Sequence, residues 1–144
     1  MSTEENKAFA RRAYDAFNQG LRTGNLAALD EVIAANMVDH NPAPGQGPGL
    51  EGAKQVFTQF FAAFPDLQFT VEDMIAEGDK VASRITARGT HKGDFQGIPA
   101  TGKQVMQTGI DILRIAGGKV VERWGQFDDL GMLQQLGVVP PPPG

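Results

Sequence analysis

The stretch Gly89–Asp128, GTHKGDFQGIPATGKQVMQTGIDILRIAGGKVVERWGQFD, decides the fold. From Gly89 to Gly102 it is punctuated by glycine and proline, which reads as a loop. Val105 to Ile115 carries Val, Ile and Leu interleaved with polar residues, the period of a strand. Ala116-Gly117-Gly118 supplies a turn, because glycine reaches the positive φ that tight hairpin loops need. Lys119 to Phe127 returns as a second strand.

If the turn is a three-residue loop with a glycine bulge, Ile115 faces Lys119, Leu113 faces Val121, Asp111 faces Arg123 and Gly109 faces Gly125. One sheet face then holds Gln107, Asp111, Arg123, Gly125 and Phe127. The other holds Met106, Ile110, Ile112, Val120, Glu122 and Trp124. The first face, with its ionisable groups, is expected to form the floor of a pocket. The second is broadly apolar and is expected to be a subunit interface, since a wide apolar face is poorly matched to water. A register shift of one residue would exchange these partnerships.

Upstream, Val81 to Arg88 and Leu67 to Ala76 alternate as two further strands, joined by Gly78-Asp79. Leu50 to Phe64 is a helix with a broad apolar face of Val56, Phe57, Phe60, Phe61 and Phe64, stopped by Pro65. Before it, Pro42 to Gly49 is a proline-glycine loop that reads as a pocket rim or lid. Asn25 caps a short helix through Leu26, Leu29, Val32 and Ile33, which runs on to Met37-Val38-Asp39-His40-Asn41. The first helix is capped by Ser2 or Thr3 and ended by Gly20 and Gly24, with Phe9, Ala13, Ala16 and Phe17 on its apolar stripe. Tyr14 sits beside that stripe, as a core-edge tyrosine with a wet hydroxyl or as a hydroxyl turned into a pocket. Downstream, Asp128 or Asp129 caps a last short helix that ends at Gly137.

Helices first, then tightly connected strands, then a closing helix describe an α+β domain with an antiparallel sheet. The sheet is expected to curl around the third helix and leave a cone-shaped cavity. The domain covers residues 1–137, and 138–144 is an extended, mobile proline-rich tail.

At 144 residues with 41% hydrophobic and 21% charged residues, the chain is one soluble domain with a core of its own. A net charge of −4 without blocks of like charge argues against nucleic acid or an anionic membrane as partner. The absence of cysteine excludes disulfides, thiolate metal sites and cysteine nucleophiles. The N-terminus lacks the apolar core of a secretion signal, and no apolar run approaches the ~20 residues of a membrane span, so a cytoplasmic location is expected. His40 and His91 lack ligand spacing, which leaves no metal site, and no glycine cluster opens a helix to hold phosphate, so no cofactor is expected.

The chain resembles the SnoaL-like polyketide cyclases, or ester cyclases, of the NTF2-like (cystatin-like α+β) superfamily. The resemblance rests on VDHNPAPGQGPGLEGAKQVF (38–57), AFPD (63–66), GTHKGDFQGIPATGK (89–103), GGKVVERWGQFD (117–128) and LQQLG (133–137), and so spans almost the whole chain. It implies an NTF2-like cone. It also implies ring closure by intramolecular aldol chemistry without metal or organic cofactor, through an acid/base aspartate directly after the last strand's tryptophan. In this sequence that position is Gly125, while the later aspartate of the pattern is kept as Asp128.

Because glycine exchanges no proton, Asp111 or His40 is the expected base. Tyr14, Gln107, Arg123 and Arg84 are expected to bind substrate or hold an enolate oxygen, with Phe57, Phe61 and Phe127 as apolar wall. Asp111 and Arg123 also read as a structural ion pair, and the arginine is expected to lower the aspartate pKa. His91 reads as exposed in its loop. The expected activity is acid/base cyclisation or isomerisation of a small, mostly apolar or aromatic carbonyl compound by a homodimer. The alternative is a protein of the same fold that binds such a ligand without turnover, and Gly125 favours it.

Overall fold

The computed structural model describes residues 2–140 and 143. The chain runs α1 (Thr3–Thr23), α2 (Leu29–Val32), β1 (Ile33–Asp39), α3 (Gly49–Ala63), β2 (Gln68–Glu77), β3 (Lys80–Thr90), β4 (Gln104–Ala116), β5 (Lys119–Phe127) and α4 (Asp129–Leu136). The strands form one sheet in the order β1-β5-β4-β3-β2. The α+β architecture is the expected one. Beyond residue 140 only Pro143 of the expected tail lies within the described residues.

α1 starts with a capping box, in which Ser2 Oγ accepts from the Glu5 amide and Glu5 Oε1 accepts from the Ser2 amide, both at 3.1 Å. It ends at Gly24 in the left-handed region, φ 75°. Its buried face is Phe9, Ala10, Ala13, Tyr14, Phe17 and Leu21, spaced as one helical stripe. That stripe lies across β2 and β3. The Asn18 amide fixes the docking: Nδ2 donates to the Phe69 carbonyl at 2.9 Å, and Oδ1 accepts from the Phe69 amide at 2.8 Å. The sheet therefore wraps α1 as well as the expected α3, which packs against β1.

Two features depart from the sequence reading. Residues 33–39 form a strand, parallel to β5 at the sheet edge, so the sheet is not wholly antiparallel. The helix before it is a single turn, Leu29–Val32. The Ala-Ala-Asn segment at 34–36 has too little alternation to announce a strand, and β1 owes its form to the free edge of β5.

The second departure is the hairpin register. Gly117 (φ 59°) and Gly118 (φ 73°) form a two-residue turn, so Ala116 rather than Ile115 pairs with Lys119. A bulge follows, because Arg114 pairs with Glu122 while Ile115 pairs with Val120. Turn and bulge each move the register by one residue. Asp111 therefore faces Gly125, Leu113 faces Arg123 and Gly109 faces Phe127. Two single shifts return the outer part of the hairpin to the expected faces, since side chains alternate with period two. Val120, caught between them, turns inward and is 2% exposed.

Candidate active site

A hollow of about 480 Å³ opens between the inner sheet face, α1, α3 and α4. Most of its wall is apolar and aromatic: Phe17, Phe57, Phe60, Phe64, Phe95 and Phe127 all line it. Phe57 joins the helices to the sheet, with its ring 5.2 Å from that of Phe17 and 6.4 Å from that of Phe69. The rim includes Pro42, Ala43, Pro44 and Gln46 from the loop between β1 and α3.

Asp111, Tyr14 and Arg123 form the polar centre of this wall, with Asp39, Gln107 and Asp129 also on the lining. Asp111 points inward from β4 and is 7% exposed. Tyr14, 3% exposed on α1, donates from its hydroxyl to Asp111 Oδ2 at 3.2 Å. Arg123 Nη2 stands 3.0 Å from Asp111 Oδ1, out of line for a hydrogen bond, so that oxygen has no aligned donor. Arg123 Nη1 donates to Asp39 Oδ1 at 3.0 Å and Oδ2 at 3.2 Å. One guanidinium thus bridges two carboxylates.

The rim loop is built into the same network. Asp39 Oδ1 accepts from the Asn41 amide at 3.0 Å, and its Oδ2 accepts from Gln46 Nε2 at 3.2 Å. Asn41 Oδ1 in turn accepts from the Gly125 amide at 2.9 Å, closing β1 onto β5 beside the site. On the far side, Gln107 lines the hollow and donates from Nε2 to Asp129 Oδ1 at 2.8 Å, which ties β4 to the start of α4.

Burial sets the electrostatics. Desolvation pushes the Asp111 carboxyl above its ordinary pKa, against the opposing pull of Arg123 and Tyr14. The arginine lowers it, as expected, but burial outweighs that pull and leaves the net shift upward, and Asp39 divides the guanidinium's charge. The Tyr14 hydroxyl is raised well above its usual pKa, first by burial and then by the neighbouring Asp111 charge. Arg123 is also buried, which disfavours its charge, yet Asp111 and Asp39 together hold it above the ordinary arginine range.

Of the residues expected at the site, Tyr14, Phe57, Gln107, Asp111, Arg123 and Phe127 line one hollow. Three others do not. His40 lies on the opposite sheet face, stacked on Trp124 at 4.6 Å with rings 5° from parallel, its Nε2 2.8 Å from Glu122 Oε2. Arg84 is on the outer face and pairs with Asp73 at 3.0 Å. Phe61 turns to the other side of α3, against Gly24 at the end of α1. His91, expected to be exposed, is fully buried, packed on Phe64 at 5.4 Å, with Nδ1 accepting from the Thr101 amide at 3.2 Å. Its loop is pinned back on itself by His91 and Lys103, which turns the ring inward. Asp128 caps α4, accepting from the Gly131 amide at 2.9 Å.

Asp39 and Asn41 were missed because residues 33–39 did not read as a strand. The available signal was Met37 and Asp39 at i, i+2, which share the inner face once β1 is extended. Among the described residues, no group of three or more His, Asp or Glu side chains is placed to hold a metal ion. No described helix is long and apolar enough to cross a membrane.

Comparison with known proteins places this geometry among relatives. The model of the SnoaL-like polyketide cyclase family matches residues 9–136. Aklanonic acid methyl ester cyclase DauD of Streptomyces sp. (strain C5) is 31% identical over 136 residues, 92% of this chain and 82% of DauD. Aklanonic acid methyl ester cyclase DnrD of Streptomyces peucetius is 30% identical over 92% of this chain and 91% of its own. Among solved structures, TsrD from Streptomyces laurentii superposes with a TM-score of 0.83 at 30% identity, covering 92% of this chain and 97% of TsrD.

Proposed function

The chain belongs to the SnoaL-like polyketide cyclase family, and on that premise we propose that it closes a carbon ring in a small polyketide-type carbonyl compound by acid/base chemistry. Asp111 takes a proton from a carbon next to a carbonyl. The C–H electron pair becomes an enolate, whose oxygen faces Arg123 and the Tyr14 hydroxyl. The enolate carbon attacks a second carbonyl of the same molecule and forms the C–C bond. The alkoxide that results takes the proton back from Asp111. Atoms and electrons balance within the substrate and the carboxyl group.

The observation that carries this reading is a buried carboxylate on an apolar wall, with one oxygen lacking an aligned donor and a cation beside it. Burial makes that carboxylate a stronger base than one in water. The aromatic wall suits a flat, apolar molecule, and Gln107 is a polar contact for a substrate oxygen or ester. The two relatives are named as aklanonic acid methyl ester cyclases, and the family as polyketide cyclases, which supports that substrate class.

Proton exchange on 2-tetralone, an aromatic ketone with an acidic benzylic position, tests the base step. In D₂O, followed by proton NMR, the protein is expected to speed exchange at that carbon by about 10²-fold or more over buffer. Asp111→Asn is expected to remove the acceleration.

One observation favours the alternative of binding without turnover: both Asp111 oxygens already face a protein group, Tyr14 and Arg123. Exchange at the buffer rate, with tetralone bound as judged by shifts in its resonances, would select that reading. The expected homodimer through the outer sheet face is part of the proposal. It is supported by exposed Met106 (48%), Ile110 (53%) and Ile75 (73%) on the strands, and mass by light scattering tests it.

A further inference from the structure

Gly125 lies in mid-strand on β5, directly opposite Asp111. Its backbone is ordinary extended strand, outside the positive-φ region where Gly117 and Gly118 lie, so no turn or bend calls for glycine here. A glycine in a strand gives up side-chain packing and conformational entropy. What it provides is room. A Cβ built at position 125 would collide with Asp111 Oδ1 and Arg123 Nη2, and would lie 2.7 Å from Arg123 Cζ. The colliding atoms are the ends of two flexible side chains, not backbone. Asp111 from β4 and Arg123 from its own strand have folded into the volume a side chain at 125 would fill.

We propose that Gly125 is a positioning residue that lets the pocket carboxylate be delivered from β4 instead of β5, so that positions 111 and 125 are alternative mounts for one carboxylate in one space. Asp111 and residue 125 are cross-strand partners on the inner face, so a carboxylate exchanged between them stays beside Arg123 and within the same wall. The proposal rests on the acid/base reading above only for its catalytic consequence.

The test is a swap cycle: Gly125→Asp, Asp111→Gly and the double variant, which keeps composition and charge. Gly125→Asp alone is expected to lower Tm by several degrees and tetralone exchange by about tenfold or more, because a third carboxylate joins Asp111 and Asp39 around one cation. Asp111→Gly alone is expected to lose exchange. The double variant is expected to recover Tm beyond the sum of the two changes and to regain at least about a tenth of the native exchange rate. Additive Tm changes overturn the proposal. So does recovery of Tm without exchange in an active parent, since the carboxylate would then be tied to β4. If the unmodified protein shows no exchange above buffer, the acid/base reading fails, and the Tm cycle alone still decides the shared space. If Gly125→Asp does not fold, Gly125→Ala with and without Asp111→Gly gives the same cycle through its Cβ alone.

Discussion

The Tyr14 hydroxyl on α1 donates to Asp111 Oδ2 on β4 at 3.2 Å, joining residues 97 apart in sequence inside the hollow. This bond occupies one carboxylate oxygen and leaves the other to the off-axis Arg123 contact. Tyr14→Phe removes the donor and leaves a buried acceptor unpaired. It is expected to destabilise the fold by about 1–3 kcal/mol, read by urea unfolding. Because the bond lowers the Asp111 pKa, its loss is expected to move the acidic limb of the exchange profile to higher pH.

Asp39 has the opposite influence. It shares Arg123 with Asp111, and its charge helps to raise the Asp111 pKa. The charged or titratable neighbours that act on Asp111 are Tyr14 on α1, Arg123 on β5 and Asp39 on β1. Asp39→Asn removes one negative charge and leaves more of the guanidinium to Asp111. The acidic limb of the exchange profile is expected to move to lower pH, with a smaller maximal rate because the base is weaker. An unmoved limb would show that Asp39 only braces the rim loop.

The buried carboxylate also shapes stability. The native Asp111 pKa stands above that of the unfolded chain, about 3.9. Between those two values the folded state holds more protons than the unfolded one. The contribution of Asp111 to stability is therefore complete below the unfolded pKa and is lost as pH rises through the native value. Urea midpoints measured from about pH 4 to 8 are expected to show that downward component, and Asp111→Asn is expected to flatten it. Identical slopes in the two proteins would contradict the raised pKa.

His40 and Asp111 are expected to separate cleanly in activity. His40 stacks on Trp124 and contacts Glu122 on the sheet face away from the hollow. His40→Ala is expected to keep tetralone exchange within about twofold of the native rate while costing about 0.5–1 kcal/mol of stability. Asp111→Asn is expected to lose exchange. A large loss in His40→Ala with normal stability would point to a route across the sheet that the geometry does not contain.

Much of the architecture could be read from the chain because it rests on local pattern. The Phe9–Phe17 stripe, the aromatic face of α3 and the alternation along β2 to β5 each state their own period within one element. The diglycine at 117–118 announced a turn, and the shared motifs announced the family. The inward set of Asp111, Arg123, Gln107 and Phe127 was also legible, because period two along the hairpin survives a shift of two residues.

What the chain by itself determined, then, is which segments become helices and strands, residues 33–39 excepted, and which residues share a strand face, Val120 at the bulge excepted: those follow from backbone geometry and nearest-neighbour spacing. Tertiary structure alone decided that residues 33–39 become a parallel edge strand, that Asp39 reaches Arg123, that His91 turns inward and His40 outward, and that Asp111 stands opposite Gly125. Each of these depends on pairing between segments distant in sequence, where a free strand edge, a one-residue bulge or the space beside a glycine sets the outcome, and no local pattern encodes that geometry.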